Sequence, residues 1–391
     1  MPQLVLTLNV GSSSLKIAGF AIPDGQRLLD GGIDRIGAGL ALRDLSSGRE
    51  VKLDTPSSNI ADCLPTVADA IQRHGHGIGA IAHRVVHGGW IYSDHAKLDN
   101  GMLSELGKLV ALAPNHLPAE IDFMAAALKH FPDIPQFACF DTVFHHDLPN
   151  TARTLALPRR LKDQGVRRYG FHGLSYTYLM SKLPEHIGER ANGRIILAHL
   201  GSGASLAAVR RGKPVDTTMG LTPLGGLVMA TRCGDIDPGL PLFLQRSQGV
   251  SPEVFEHMAY AESGMLGISG SSGDVRDLLK AEANDPAAAE ALSLFCYQAR
   301  KHIAAMAAAL EGVDVIVFSG GIGSNSVQIR QRICEDLEWL GLTLDPQANA
   351  GGEPCISAPA SKVMAFALPT DEEAVMAEIV FRRMQASGNP G

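Results

Sequence analysis

The sequence predicts an α/β fold built from two related halves, and three observations carry that prediction. Apolar runs of strand length alternate with segments of helical periodicity. One pattern, an apolar run, a tight Gly/Ser turn and a second apolar run, occurs near residue 10 and again near residue 200. At 391 residues, with 45% apolar and 19% charged side chains, the chain is long enough to bury two cores of ordinary size.

The first copy begins with a strand over residues 4–8 and continues through Asn9-Val10-Gly11-Ser12-Ser13-Ser14-Leu15-Lys16 into a second apolar run at 17–20. The second copy begins with a strand over 194–198. It continues through His199-Leu200-Gly201-Ser202-Gly203-Ala204-Ser205-Leu206 into an apolar run at 207–209. Small residues let backbone N–H groups approach an anion closely, and the hydroxyls add donors. A single turn of this kind is commonly just a hairpin. Its repetition points to two halves that grip one polyphosphate.

Between the copies, residues 80–86 read as a strand rich in Ile and Val. Met102, Leu103, Leu106, Leu109 and Val110 fall at helical spacing until Pro114 stops them. A helix over 118–130 and a strand over 136–140 follow. Residues 149–160 read as a crossover between the halves. Asp285 caps a long helix with Pro286 at its first position. The apolar stripe of that helix (Leu292, Phe295, Cys296, Ala299, Ile303, Met306, Leu310) ends at Gly312. A buried strand over 313–318 then leads to Gly320-Gly321-Ile322-Gly323. This segment reads either as a loop for the adenosine or α-phosphate of a nucleotide, or as a plain strand-to-helix turn. Finally, Thr370 and Glu373 match a capping box for a C-terminal helix with Met376, Ile379, Val380 and Met384 on its apolar face. That leaves Glu372 available to a metal.

Several function classes are disfavoured. A net charge of −7 with 5% aromatic residues argues against nucleic-acid binding. No apolar run approaches 18 residues, and no basic segment precedes an apolar one at the start, so neither a membrane span nor a secretory leader is expected. Six scattered cysteines without a C-x-x-C pair fit reduced cytoplasmic thiols better than a disulfide framework or a zinc site.

No G-x-x-x-x-G-K-[ST] occurs, and residues 201–206 miss G-x-G-x-x-G at the last position. His83 and His87 have zincin spacing, but Arg84 stands where that motif needs Glu, and Val85-Val86 favours a strand. Arg84 is more informative, because a charge at the end of a buried strand needs an anionic partner. Asp141, at a strand end, is a loop cap or an active carboxylate. His172, between Gly170 and Gly173, is a turn residue or a ring projecting into a cleft. Arg232, among turn formers, pairs with Asp235 at the surface or serves a site.

Taken together, NVGSSSLK, HRVVHGG, FDTVFHH, YGFHG, HLGSGAS, TPLGG, TRCGDIDPG, GISGSSGDVR, FSGGIG and PTDEE resemble the acetate kinase family, of the sugar kinase, Hsp70 and actin superfamily. They lie in the family's order from Asn9 to Glu373. The resemblance implies a duplicated actin-like ATPase fold with a mixed sheet flanked by helices in each domain. It implies domains at 1–148 plus 371–391, on the acid and metal side with a returning C-terminal helix, and at 149–370, on the nucleotide side. It also implies a homodimer and reversible phosphoryl transfer between ATP and acetate or a similar short carboxylate, giving ADP and an acyl phosphate.

Carried over residue by residue, Asn9 and Glu372 would hold Mg²⁺, with Mn²⁺ as a substitute. Arg84 and Arg232 would bracket the acid and the moving phosphoryl group, Asp141 would be the active carboxylate, and His172 would stabilise the transition state. Val86, Asn115, Phe171 and Pro223 would form the acid pocket. Ser12, Ser14, Lys16, His199, Leu200, Gly201, Ser202, Gly203, Asp274, Val275, Arg276, Gly320, Gly321, Ile322, Gly323 and Ser324 would line the nucleotide site. The chemistry agrees with this inventory. A carboxylic acid of pKa about 4–5 is already ionised, so the task is to neutralise charge and no base is required.

The chain departs from the family pattern at several points. Ser202 replaces Asn in H-L-G-N-G, Ser324 replaces Glu in G-I-G-E-N, and Asp371 replaces Asn in T-N-E-E. Leu174-Ser175-Tyr176 replaces T-S-H, and Asn115 stands where the acid pocket expects an apolar residue. A buried amide there would favour a more polar acid, such as a hydroxy acid, whereas an amide turned away leaves acetate. A phosphatase on the same fold, or a non-catalytic nucleotide-gated scaffold, are the competing classes.

Overall fold

The computed structural model describes residues 2–11, 14–35, 37–55 and 59–387. The chain divides into two compact units, Met1–Phe144 with Asp371–Gly391, and His145–Thr370.

Unit 1 is built on an eight-stranded sheet: β1 (Gln3–Val10), β2 (Leu15–Ala21), β3 (Arg27–Ile33), β4 (Leu40–Asp44), β5 (Glu50–Leu53), β6 (Gly77–Val85), β7 (Ala96–Lys97) and β8 (Gln136–Phe140). Its order is β5-β4-β3-β2-β1-β6-β8-β7. β1 and β2 form the first predicted hairpin in antiparallel register, with Asn9 opposite Lys16 and Val10 opposite Leu15. β6 then joins β1 in parallel, and β8 joins β6 in parallel. Leu4, Val5, Leu6 and Leu8 are fully buried, which explains why β1 reads as a continuous apolar run: both faces of a central strand are covered.

Unit 2 carries β9 (Arg194–Leu200), β10 (Ala204–Arg210), β11 (Lys213–Thr217), β12 (Val315–Ser319) and β13 (Met364–Ala367), in the order β11-β10-β9-β12-β13. The second predicted hairpin is β9–β10, antiparallel, with β12 parallel to β9 and β13 parallel to β12. The sequence repeat is therefore a topological repeat. β3-β2-β1-β6-β8 in unit 1 and β11-β10-β9-β12-β13 in unit 2 are the same three-strand meander followed by two parallel crossovers.

Helices form where capping and periodicity predicted them. Asp285 caps the helix Pro286–Ala309 by accepting from the backbone N–H groups of Ala287 and Ala288, and the predicted stripe is buried. Leu117–His130 is helical, and β8 spans the predicted strand.

One open reading is decided and one expectation corrected. Of the two readings of Gly320-Gly321-Ile322-Gly323, the strand-to-helix connection is the one found: the segment opens the short helix Gly320–Asn325 directly after β12. Gly320 makes this possible. Its φ is +74°, and a Cβ there would sit 2.6 Å from the Leu200 carbonyl oxygen, so only glycine lets the helix start this close to β9. The C-terminal helix Glu372–Ser387 is capped by Asp371 rather than Thr370: Asp371 Oδ1 accepts from Ala374 N at 3.0 Å. Asp371 Oδ2 also accepts from Arg27 on β3 at 2.7 Å, which anchors the returning helix to unit 1. The helix packs on β1, β2 and β6 through Val375, Met376, Ala377 and Val380.

Candidate active site

In unit 1 the parallel strands bring their C-terminal ends together, and three of the predicted residues lie around the guanidinium of a fourth, Arg84. Arg84, near the end of β6, donates from Nη2 to Asp141 Oδ2 at 2.5 Å, and Asp141 directly follows β8. From the same side chain, Nη1 lies 3.5 Å from Asn9 Oδ1, near the end of β1, and Nε lies 3.8 Å from Glu372 Oε2. Asp141 is 1% exposed, so the anionic partner that a strand-end arginine demands is a buried carboxylate. Burial works against the Arg84 charge, but Asp141, Glu372 and Glu120 outweigh it and hold the guanidinium more firmly charged. Burial pushes the Glu372 carboxyl above its usual range, against the pull of Arg84.

Glu120, in the first turn of the helix Leu117–His130, is a member of this group that sequence reasoning missed. It is 2% exposed, and its Oε2 accepts from the backbone N of Val86 at 3.0 Å. Burial raises its pKa to about 7, with Arg84 pulling the other way. A first-turn acid ordinarily reads as a helix-dipole partner, which hides such a role. Of the two arrangements weighed for Asn115, the buried amide is not the one found: its side chain is exposed, while Ala113 and Leu117 on either side are buried and anchor the loop.

Lys16 projects from β2 opposite Asn9 and is exposed. With Ser14, Arg27, Arg43 and Glu373 it lines a polar pocket on the same sheet. Ser12 lies outside the described residues. His83 and His87 hold no metal pair. His83 Nε2 meets Gln136 Oε1 at 2.8 Å inside the core, and His87 Nδ1 accepts from Gly89 N. Among the described residues no group of three or more His, Cys, Asp and Glu could hold a metal ion.

In unit 2 the β9–β10 turn is the focus. His172 caps the helix Gly173–Ile187 with φ +57° and ψ +27°, a left-handed conformation that a non-glycine residue adopts only when its surroundings impose it. Its ring stacks on His199, with centroids 4.2 Å apart and planes at 17°. The ring nitrogens face opposite ways. His172 Nδ1 meets Ser205 Oγ at 2.8 Å, while Nε2 faces Gly203, 3.2 Å from where a Cβ would stand. Arg232 Nη2 lies 3.5 Å from the same point, so glycine at 203 leaves open a space that both nitrogens border. Arg232 Nη1 donates to the Pro223 carbonyl at 2.8 Å, and Pro223 and Phe171 are buried.

A cavity of about 930 Å³ in unit 2 brings together Gly201, Ser202, Asp274, Val275, Arg276, Gly321 and Ile322. Thr231, Ser272, Leu279, Asn325 and Gln328 also line it and were not foreseen. Leu200, Gly203, Gly320, Gly323 and Ser324 are not among its lining residues; Leu200 is fully buried, and Ser324 Oγ donates to the Leu368 carbonyl at 3.0 Å. Asp274 does local work, capping the helix Val275–Ala281 and pairing with Arg276 at 2.6 Å.

Two units of one topology, each with a glycine–serine hairpin beside its parallel strands, define the actin-like ATPase fold, as in the solved acetate and propionate kinase structures described below. The chain belongs to the acetokinase family, whose model matches residues 4–378. It is 43% identical to an acetate kinase of Rhodopseudomonas palustris, over 98% of both chains. The crystal structure of Porphyromonas gingivalis acetate kinase matches it with a TM-score of 0.87 at 35% identity, covering 98% of this chain and 100% of that one. A propionate kinase from Francisella tularensis matches with a TM-score of 0.90 at 33% identity, over 96% of this chain and 98% of that one. Among the described residues no helix is long and apolar enough to cross a membrane.

Proposed function

We propose that this enzyme catalyses reversible phosphoryl transfer from ATP to acetate, giving acetyl phosphate and ADP, with Mg²⁺ as its metal. Family membership over nearly the whole chain supports the reading. The structural observation that carries it is Arg84, held charged by buried Asp141 beside Val86.

Acetate needs no deprotonation, so no residue has to serve as a base. One carboxylate oxygen forms a bond to the γ-phosphorus in line with the breaking bond, whose electron pair leaves with the ADP oxygen. Arg84 neutralises the incoming carboxylate, and Asp141 keeps the guanidinium in place. Of the residues assigned to the methyl group, Val86 is apolar and buried within unit 1, and Phe171 and Pro223 are apolar and buried within unit 2. In unit 2, His172 Nε2 and Arg232 donate to the phosphoryl oxygens, and the β9–β10 turn, residues 274–276 and residues 320–324 hold the nucleotide. Within unit 1, Ser14 and Lys16 offer a hydroxyl and an ammonium to phosphate.

Asn9 and Glu372 would hold the metal. Both offer oxygen to a hard cation, and both reach the same guanidinium only at 3.5 and 3.8 Å, which leaves those oxygens weakly engaged. When bound, Mg²⁺, or Mn²⁺ in its place, spreads the phosphate charge.

The protein acts as a homodimer in the cytoplasm. Leu240, Leu242 and Phe243 on the helix Leu240–Gln248, with Val254 beyond it, present exposed apolar surface that a second copy would cover. All six cysteines are free thiols, which supports a reducing compartment.

The test is ADP release with acetate, propionate, glycolate and lactate at equal concentration. Acetate should give the highest kcat/KM. ADP release at the same rate without any acid would instead identify a hydrolase.

A further inference from the structure

The ring of His172 is held by more than its backbone. Ser205 lies on β10 directly opposite His199 in the hairpin register, so both side chains emerge on one face of the sheet. That face meets the first turns of the helix Gly173–Ile187, which carries Ser175 and Tyr176 and follows His172. The result is two stacked imidazoles, each with Nδ1 on a serine hydroxyl. His172 meets Ser205 at 2.8 Å, and His199 meets Ser175 at 2.8 Å. A third hydroxyl extends the first of these pairs: Tyr176 OH lies 2.5 Å from Ser205 Oγ, and Tyr176 and Ser205 are both fully buried. The Tyr176 ring is itself braced edge-on by His145, whose Nε2 is bound to the Phe171 carbonyl.

The direction of the line follows from acidity. A phenol is the strongest donor and poorest acceptor of the three groups, and an imidazole nitrogen is the best acceptor. Tyr176 O–H therefore donates to Ser205 Oγ, and Ser205 O–H donates to Nδ1 of neutral His172. Polarisation along the chain strengthens both bonds. With Nδ1 occupied as an acceptor, the ring proton sits on Nε2, the nitrogen that faces Gly203 beside Arg232.

We propose that Ser205 and Tyr176 are positioning residues that lock His172 in its Nε2–H tautomer, so that it presents a donor to the phosphoryl oxygens without acquiring a proton during turnover. This rests on the function proposed above but concerns only these residues of unit 2.

The experiment combines tautomer spectroscopy with kinetics. Long-range ¹H–¹⁵N correlation spectra of ¹⁵N-histidine-labelled protein, with the His172 signals assigned by their loss in His172→Gln, should show the Nε2–H form in the unsubstituted protein. Ser205→Ala should shift His172 towards the Nδ1–H form. It should lower kcat by about ten- to a hundredfold, the scale of losing a hydrogen bond that orients an active imidazole, with KM for ATP and acetate little changed. Tyr176→Phe should move both readouts the same way by less, because the serine hydroxyl can still donate, and Ser205→Thr should restore both. An Nε2–H spectrum in Ser205→Ala, or unchanged kcat in both Ser205→Ala and Tyr176→Phe, would overturn the proposal. The spectra are recorded without substrates, so they judge the tautomer independently. Failure of the functional reading would show instead as unsubstituted protein that makes no acyl phosphate.

Discussion

Arg84 and Asp141 end two adjacent parallel strands and meet there at 2.5 Å, a charge pair whose acidic member is almost wholly out of solvent. Breaking one side of such a pair strands the other. Arg84→Ala should lower kcat by ~10³-fold or more, the scale of lost arginine fingers in phosphoryl transfer. It should also lower stability by about 3–5 kcal/mol, because Asp141 would stay buried without its counter-charge. Arg84→Lys should keep most of the stability and little of the turnover, since an ammonium cannot reproduce the forked donor set. Initial rates and urea midpoints of the two variants separate the roles.

Gly203 offers a cleaner probe of unit 2. A methyl group there would stand 3.2 Å from His172 Nε2 and 3.5 Å from Arg232 Nη2, in the space the two nitrogens border. Gly203→Ala should leave the melting temperature nearly unchanged while reducing kcat/KM roughly a hundredfold, the size of effect an ångström of misplacement produces. Wild-type kcat/KM in this variant would mean that the phosphoryl group does not pass there.

Glu120 predicts a pH dependence of stability. Its folded-state pKa, raised to about 7 by burial, exceeds the value of 4.5 ordinary for a glutamate. Between those values the folded state holds a proton that the unfolded state has released, so this residue's contribution to stability is fully present below about pH 4.5. It is lost as pH rises through about 7. The loss is on the order of 3 kcal/mol. Glu120→Gln keeps an acceptor for the Val86 N–H and cannot ionise, so it should be more stable than the unsubstituted protein at pH 8 and show a flatter profile from pH 5 to 8. Urea denaturation at both pH values measures it.

Local signals carried the sequence reading where the chemistry was local. The two hairpins, the Asp285 cap and the continuous apolar runs of central strands depend on neighbours a few residues away, and the structure has them where periodicity placed them. What stayed hidden depends on distant contacts. Thr370 and Asp371 are both good caps one position apart, and the choice falls to Asp371, which also answers Arg27 on β3. The glycines at 320–323 left a loop and a strand-to-helix turn both open because glycine disfavours helix, yet Gly320 is what admits the helix so close to β9. Glu120 resembles an ordinary first-turn acid until β6 is laid over it, and Tyr176 meets Ser205 only once the second hairpin has formed.

The measurement that tests the central claim most directly is hydroxamate trapping of acyl phosphate, run beside ADP release with ATP, Mg²⁺ and acetate. Equal amounts of acetyl phosphate and ADP, both abolished in Arg84→Ala, are the predicted result. ADP without acyl phosphate, or full acyl phosphate production in Arg84→Ala, would contradict it.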